Sequence, residues 1–268
     1  MKNIFNTAGL LIFLMIYPYM TYAAHHADPL LEAINDTGRN SAYSSRDTSR
    51  HPYETLSFFQ INPSMHVLEL SAGGGWYTEI LAPYLKDSGK LSVTHYNPDA
   101  GNYYKRSRGS YDAKVASNPL FAGVEVITAD VPPTQEYSMP GTQDLVLTFR
   151  NLHNWLARDA MKAVMQEAYN ALKEGGHFGV VEHRAPEGSS MEFMKTSGYV
   201  LQSLAIQSAK EVGFVFVASS EVNANSKDTA DHPKGVWTLP PSYRLKEKDR
   251  SKYEAIGESD RMTLLFKK

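Results

Sequence analysis

Short apolar runs of strand length alternate along this chain with longer segments whose apolar residues recur every three or four positions. The runs "HVLEL" (66–70), "KLSVTHY" (90–96), "VEVITAD" (124–130), "DLVLTF" (144–149) and "HFGVVEH" (177–183) read as strands, as do "FVFVASSEV" (214–222) and "RMTLLFKK" (261–268). Between them, "GWYTEILAPYL" (75–85), "RDAMKAVMQEAYNALKEGG" (158–176) and "MEFMKTSGYVLQSLAIQSAKEVG" (191–213) carry helical periodicity, and Gly175-Gly176 is expected to stop the second of these helices in a left-handed turn. Such alternation predicts an α/β fold: a doubly wound, seven-stranded, mostly parallel sheet with helices on both faces. Only a turn-rich stretch with prolines separates the last two strands, so these should pair antiparallel. Ahead of this domain (62–268), residues 24–61 read as a helical appendage. Its run "RDTSRHPYETLSFFQI" has Pro52 suited to a helix start and Leu56, Phe58 and Phe59 for apolar contacts, and should pack over the sheet edge or the mouth of a cleft.

The first strand runs into "ELSAGGGW". Gly73 and Gly75 lack a Cβ, so the backbone there can take positive φ and approach a ligand closely, while the next helix offers free N–H groups at its start. A tight turn needs one or two glycines; three in a row point to a ligand. The dinucleotide pattern G-x-G-x-x-G fails at its third position, where Thr78 stands, and a dinucleotide oxidoreductase is the weaker reading.

Seven strands, a glycine turn after the first and "LKEGG" before the fifth resemble class I S-adenosylmethionine-dependent methyltransferases, over the chain from about Asn62. "GGGWYTEILAPYL", "DLVLTFRNLHNW" and "DRMTLLFKK" further resemble an exported bacterial group of predicted methyltransferases with no named substrate. The resemblance implies S-adenosylmethionine as cofactor and a small-molecule methyl acceptor. It places Glu69 toward the cofactor's ammonium, directly or through water; Ser71, Ala72, Gly73 and Gly75 in the binding loop, with Ser71 where ordinary members carry glycine; and Asp130 toward the adenine. At the end of the second strand, where a carboxylate would grip both ribose hydroxyls, this chain has His95 followed by Tyr96. A neutral imidazole can bond one hydroxyl and Tyr96 can stack on adenine, so weak binding is expected.

Beyond the fourth strand, Arg150 offers an anion binder, Asn151 an amide, His153 a general base and Trp155 an aromatic wall. The fifth strand ends in Glu182, His183 and Arg184; alternation aims only one of the first two into a cleft, and His183 is favoured. The catalytic candidates are therefore His153, Asn151 and His183, with Arg150 on the cofactor side. No H-x-x-x-H pattern joins the histidines, so no metal site is expected. The alternative from another class is a non-catalytic small-ligand binder on the same fold.

Charge and composition add the setting. In the first 23 residues Lys2 is the only charge, an apolar run spans Ala8 to Met20, and Thr21-Tyr22-Ala23 offers a cleavage site. The run is short for a membrane span, so the reading is a cleaved signal peptide, export to the periplasm and no stable membrane anchor afterwards. Lys and Arg total 27 against 29 Asp and Glu, and removing Lys2 takes the net charge from −2 to −3, a balance that speaks against nucleic acid as partner. The absence of cysteine excludes disulfides, thiolate metal sites and a lipid-anchored cysteine. Arg46, Asp47, Arg50 and His51 form a polar group able to reach over the cleft, for which solvated surface is the default. Nothing in the pattern sets an oligomeric state.

Overall fold

Seven strands form one sheet in the computed structural model, which describes residues 28–268; the expected signal peptide, 1–23, lies outside the described residues. They are β1 (His66–Leu70), β2 (Lys90–Tyr96), β3 (Glu125–Ala129), β4 (Gln143–Phe149), β5 (Leu172–His183), β6 (Val215–Ser220) and β7 (Arg261–Lys267), in the order β3-β2-β1-β4-β5-β7-β6. The first five run parallel, and β7 lies antiparallel between β5 and β6. Order reverses at β1, so the carboxyl ends of β1, β2 and β4 open a crevice at a switch point, where open α/β sheets bind ligands.

Strand alternation divides the core between the two faces. Leu68, Val146, Phe178, Val180 and Leu264 face one side, with Val164 and Met165 of the helix Met161–Ala171. Val67, Leu145, Leu147 and Leu265 face the other, with Ile80 and Leu81 of the helix Thr78–Leu85. Each such side chain, fully buried, contributes about 1.5–3 kcal/mol against solvent exposure.

Three local expectations change. The run 46–61 forms two helices, Asp47–Arg50 and Pro52–Phe58, broken at His51 (φ 42°). Just after the second, Phe59 lies over the middle of the sheet and not its edge: a Cβ on Gly179 of β5 would come within 2.8 Å of its ring. The segment 191–213 likewise splits, into Met191–Ser197 and Gln202–Glu211, because Gly198 takes a left-handed φ of 81° and Val200 bridges to Arg184. Finally, the helix Met161–Ala171 ends before the glycines, and Gly175 and Gly176 already lie within β5. Among the described residues no helix is long and apolar enough to cross a membrane.

Candidate active site

Two left-handed residues mark the crevice. Ser71 (φ 54°) follows β1 and Arg150 (φ 63°) follows β4, both conformations that glycine adopts at less cost. The Ser71 position is where the resemblance expects glycine, and the backbone keeps glycine's conformation. Side chains hold the loop that follows. Tyr43 Oη and Lys114 Nζ donate to the Gly74 carbonyl at 2.9 and 2.8 Å, and the Gly75 N–H bonds the Ala72 carbonyl at 2.9 Å. The N–H groups of Gly73 and Gly74 have no acceptor among the described residues, and both glycines line a cavity of about 310 Å³. Ala72 lines the same wall.

Gly73 and Gly75 differ in role. A Cβ on Gly73 would meet nothing closer than 3.9 Å, whereas one on Gly75 would lie 3.0 Å from the Tyr111 ring, on the core side. Gly75 therefore serves packing and a φ of 79°, and does not line the cavity. Gly75→Val is expected to cost at least about 2 kcal/mol through overpacking and a left-handed β-branched residue. Urea unfolding checks this; wild-type stability would show that the loop can move off Tyr111.

His95 is placed otherwise than the resemblance implies. It is buried, its Nδ1 accepts from the Tyr96 N–H at 2.9 Å, and its Nε2 lies 3.0 Å from the Gly73 carbonyl. Those partners require a neutral ring with the proton on Nε2, and burial, the chief cause, lowers its pKa. Both nitrogens are spent on the chain, so the imidazole holds the loop and has none left for a ribose hydroxyl. Glu69 is also withdrawn. It lies beneath the loop, accepts from Thr78 Oγ1 at 2.6 Å, and burial pushes its pKa up to about 8. Neither residue lines a cavity at the crevice. Tyr96 does: it stands with Tyr104 in a second cavity of about 350 Å³ and in a third of about 220 Å³ that reaches Asp130. The Asp130 carboxylate accepts from Thr134 and Asn97 at 2.5 and 2.8 Å, and these bonds lower its pKa.

Asn151 is a clamp. Its Nδ2 lies 3.1–3.3 Å from Leu70 O, Ser71 O, Thr148 Oγ1 and Phe149 O, tying the ends of β1 and β4 together. A flipped amide would aim oxygen at three carbonyls, so Nδ2 is fixed there and Oδ1 is the atom left for the cavity. As a catalytic candidate, Asn151 thus offers an acceptor and not a donor.

His153 and Glu182 form the most organised pair. Glu182, fully buried, accepts from His153 Nδ1 at 3.0 Å, His153 N at 3.2 Å and His183 N at 2.7 Å. With Nδ1–H donated to the carboxylate, Nε2 is the nitrogen that a neutral His153 ring presents as an acceptor. His183 lines the first cavity, bonds Ser259 Oγ through Nδ1, and is held well below the ordinary histidine pKa chiefly by burial, with the adjacent His153 ring and the guanidiniums of Arg150, Arg261 and Arg50 acting the same way. Ligand atoms of His153, Glu182 and His183 lie within 4.8 Å of one another, a grouping of the helix Leu152–Leu156 with the end of β5 that spacing along the chain conceals. Three N–H donors already occupy the Glu182 oxygens, so its carboxylate orients His153. Ser71, Asn151, His153 and Trp237 line both the first and the second cavity, which therefore share a wall at the histidine.

The remaining walls come from the appendage, which meets the expectation of a cover over the mouth of the cleft, and from the turn-rich stretch before β7. Arg46 and Arg50 of the appendage line the first cavity with Arg150, as do Trp237, Pro240 and Pro241. Arg50 is only 2% exposed, not solvated surface. The i, i+4 spacing of Arg46 and Arg50 was the available signal. Their acidic partner, Glu258, is 212 residues from Arg46. Asp47 of the same group pairs with Arg39 at 2.7 Å, away from this cluster.

No protein-family model matches the chain, and no curated protein matches it in sequence. Solved structures do match. An S-adenosylmethionine-dependent methyltransferase from Aquifex aeolicus superposes with a TM-score of 0.56 at 14% identity, over 90% of this chain and 98% of that one. The [4+2]-cyclase SpnF superposes with a TM-score of 0.58 at 14% identity, over 90% and 91%. One fold thus carries a methyltransferase and a cyclase, and at this identity the likeness establishes for this chain the Rossmann-like methyltransferase fold.

Proposed function

We propose that this protein transfers a methyl group from S-adenosylmethionine to a small-molecule acceptor. The observation that carries the reading is the wall shared by two cavities, on which a carboxylate-oriented histidine presents a free nitrogen. A transfer reaction needs donor and acceptor side by side with a base at their junction. The fold of the solved methyltransferases supports the same reading.

The residues fit the cofactor in part. The free N–H groups of Gly73 and Gly74 suit its carboxylate, Asn151 Oδ1 its ammonium, and the Tyr96–Asp130 wall its adenine. The ribose grip is the exception, because His95 is committed to Gly73. When bound, the cofactor would supply an electrophilic methyl on a sulfonium sulfur able to retain the C–S electron pair. The acceptor's lone pair takes the methyl, and its proton passes to His153 Nε2. Glu182 stabilises the imidazolium that results, and His183, kept neutral, adds no charge to the wall. Action in the periplasm, and kinship with the exported bacterial group, rest on the sequence alone.

The committed His95 specifically favours a second reading, a binder that does not transfer. Calorimetric titration with S-adenosylmethionine, S-adenosylhomocysteine and NAD separates them. Sulfonium binding is expected in the high-micromolar range, since losing a bidentate contact to the ribose costs about 1.5–3 kcal/mol. Silence with all three would leave the binder of another ligand as the better account.

A further inference from the structure

The arginines of the first cavity carry more charge than their surroundings balance. Arg46 Nε, Arg50 Nε and Arg261 Nη1 all converge on Glu258, at 2.7, 3.4 and 3.1 Å. That single carboxylate, held down to about pKa 2 despite burial by its arginine neighbours, meets three guanidiniums. Arg150 brings a fourth, and its side chain donates to nothing among the described residues. Four positive charges against one negative leave an excess of three in a largely buried cluster.

The donors are left open as well. Arg50 Nη1 and Arg46 Nη2 are buried without a hydrogen-bond partner, and both side chains line the cavity. Arg184 of the same protein shows what a balanced arginine looks like here: it bonds Glu221 twice and Asp260 twice, all at 2.7–3.0 Å. A purely structural network would resemble Arg184, because an unpaired buried cation is costly to keep. The Arg46–Arg50–Arg150 group has the opposite character.

We propose that this cavity is an oxyanion pocket, and that the methyl acceptor is a small molecule carrying a carboxylate or phosphate group held by Arg46, Arg50 and Arg150. Guanidinium forks match the planar edge of either group, two N–H donors to two oxygens. His153 and His183 stand on the wall of the same cavity, so an anion gripped by the arginines presents the rest of the molecule to the base. Trp237, Pro240 and Pro241 add apolar lining, and because the Gly73–Gly74 wall of the same cavity of about 310 Å³ is the one assigned to the cofactor's carboxylate, the space beside the arginines suits only a small acid or ester. The word acceptor rests on the transferase reading; the anion pocket itself does not.

Calorimetry and thermal unfolding of the whole chain, without cofactor, test the pocket with two probes, inorganic phosphate and malonate. Saturable binding of at least one, with a Kd of about 1 mM or tighter and a rise in Tm, is expected. Tighter phosphate binding assigns a phosphate ester and tighter malonate binding a carboxylic acid. Arg150→Gln should weaken the favoured probe at least about tenfold, yet leave the Tm of the anion-free protein unchanged or higher, since Arg150 has no ion pair to lose. Arg46→Gln provides a second variant with the same expected loss of affinity. Absence of saturable binding by both probes, or wild-type affinity in Arg150→Gln, overturns the proposal. S-adenosylmethionine titrated in parallel keeps the two readings apart: anion binding without sulfonium binding removes the transferase and keeps the pocket, and the reverse result removes only the pocket. Arg150→Gln should leave the affinity for S-adenosylmethionine within about threefold of wild type; a tenfold loss would return Arg150 to the cofactor's carboxylate, where the resemblance put it, and overturn its assignment to the acceptor.

Discussion

His153→Ala is expected to lower methyl-transfer turnover by about 10²- to 10⁴-fold, the range for loss of a general base, while the affinity for S-adenosylmethionine changes little. The contrast follows from where the ring is anchored. Nδ1 is bonded to Glu182, which is itself fixed by the backbone N–H groups of His153 and His183, so the free nitrogen is held by β5 and the chain just after β4, and not by the cofactor loop. Glu182 acts as a positioning residue. Its loss should lower kcat by freeing the imidazole to turn or change tautomer, with little change in KM. Single-turnover kinetics with the same acceptor separate the chemistry from binding. Equal losses of turnover and cofactor affinity in His153→Ala would move the histidine to the cofactor wall, and unchanged turnover would leave it a structural partner of the buried Glu182.

The fold was legible because its signals are local. Alternation over 66–70, 90–96 and 144–149 placed β1, β2 and β4 within a residue, and the proline-bearing stretch before residue 261 correctly implied an antiparallel partner for β7. The glycine turn was legible for the same reason, since positive φ is a property of single residues; the structure adds that Gly73 faces the cavity and Gly75 the core. Breaks within helices were less visible. Gly198 is set by a tertiary contact, a Cβ there lying 2.6 Å from Val236, and periodicity carries no trace of it.

The candidate site shows in the sequence only as polar residues at strand ends, and its pairings do not show there at all. His153, Asn151, His183 and Arg150 stand out as polar groups at strand ends, but only the folded chain shows that Glu182 orients the first and that the Asn151 amide is spent on four backbone and hydroxyl oxygens. His95 stood out for replacing an expected carboxylate, and its actual partner, the Gly73 carbonyl, is 22 residues away. The arginine cluster was hardest to see. It joins the appendage to the segment before β7, and the composition, with its slight excess of acid, gives no hint of a local surplus of positive charge.

Glu69→Gln is expected to make the protein more stable at pH 8 and to change it little at pH 5. In the folded protein the carboxyl is raised from 4.5 to about 8, first by burial, with the Thr78 hydroxyl opposing. Below about pH 4.5 both states hold the proton and no penalty exists. As the pH rises toward 8, the unfolded chain releases a proton that the folded chain keeps, so stability falls by about 1.4 kcal/mol per pH unit, to a total of about 3–5 kcal/mol. Glutamine has the same shape as the neutral acid, and its carbonyl accepts the Thr78 hydroxyl without an ionisation to suppress. Urea unfolding at the two pH values should therefore show a gain of about 2–4 kcal/mol for the variant at pH 8 and within about 1 kcal/mol of wild type at pH 5. The same variant tests the role that the resemblance assigns to Glu69. A neutral group beneath the loop, bonded to Thr78, is not a counter-ion for an ammonium, so affinity for S-adenosylmethionine should stay within about threefold of wild type, less than 1 kcal/mol. A tenfold loss of affinity, together with no gain in stability at pH 8, would mean that Glu69 is ionised and reaches the cofactor through the loop, and the glycine turn would then hold its ligand from below as well as from the cavity side.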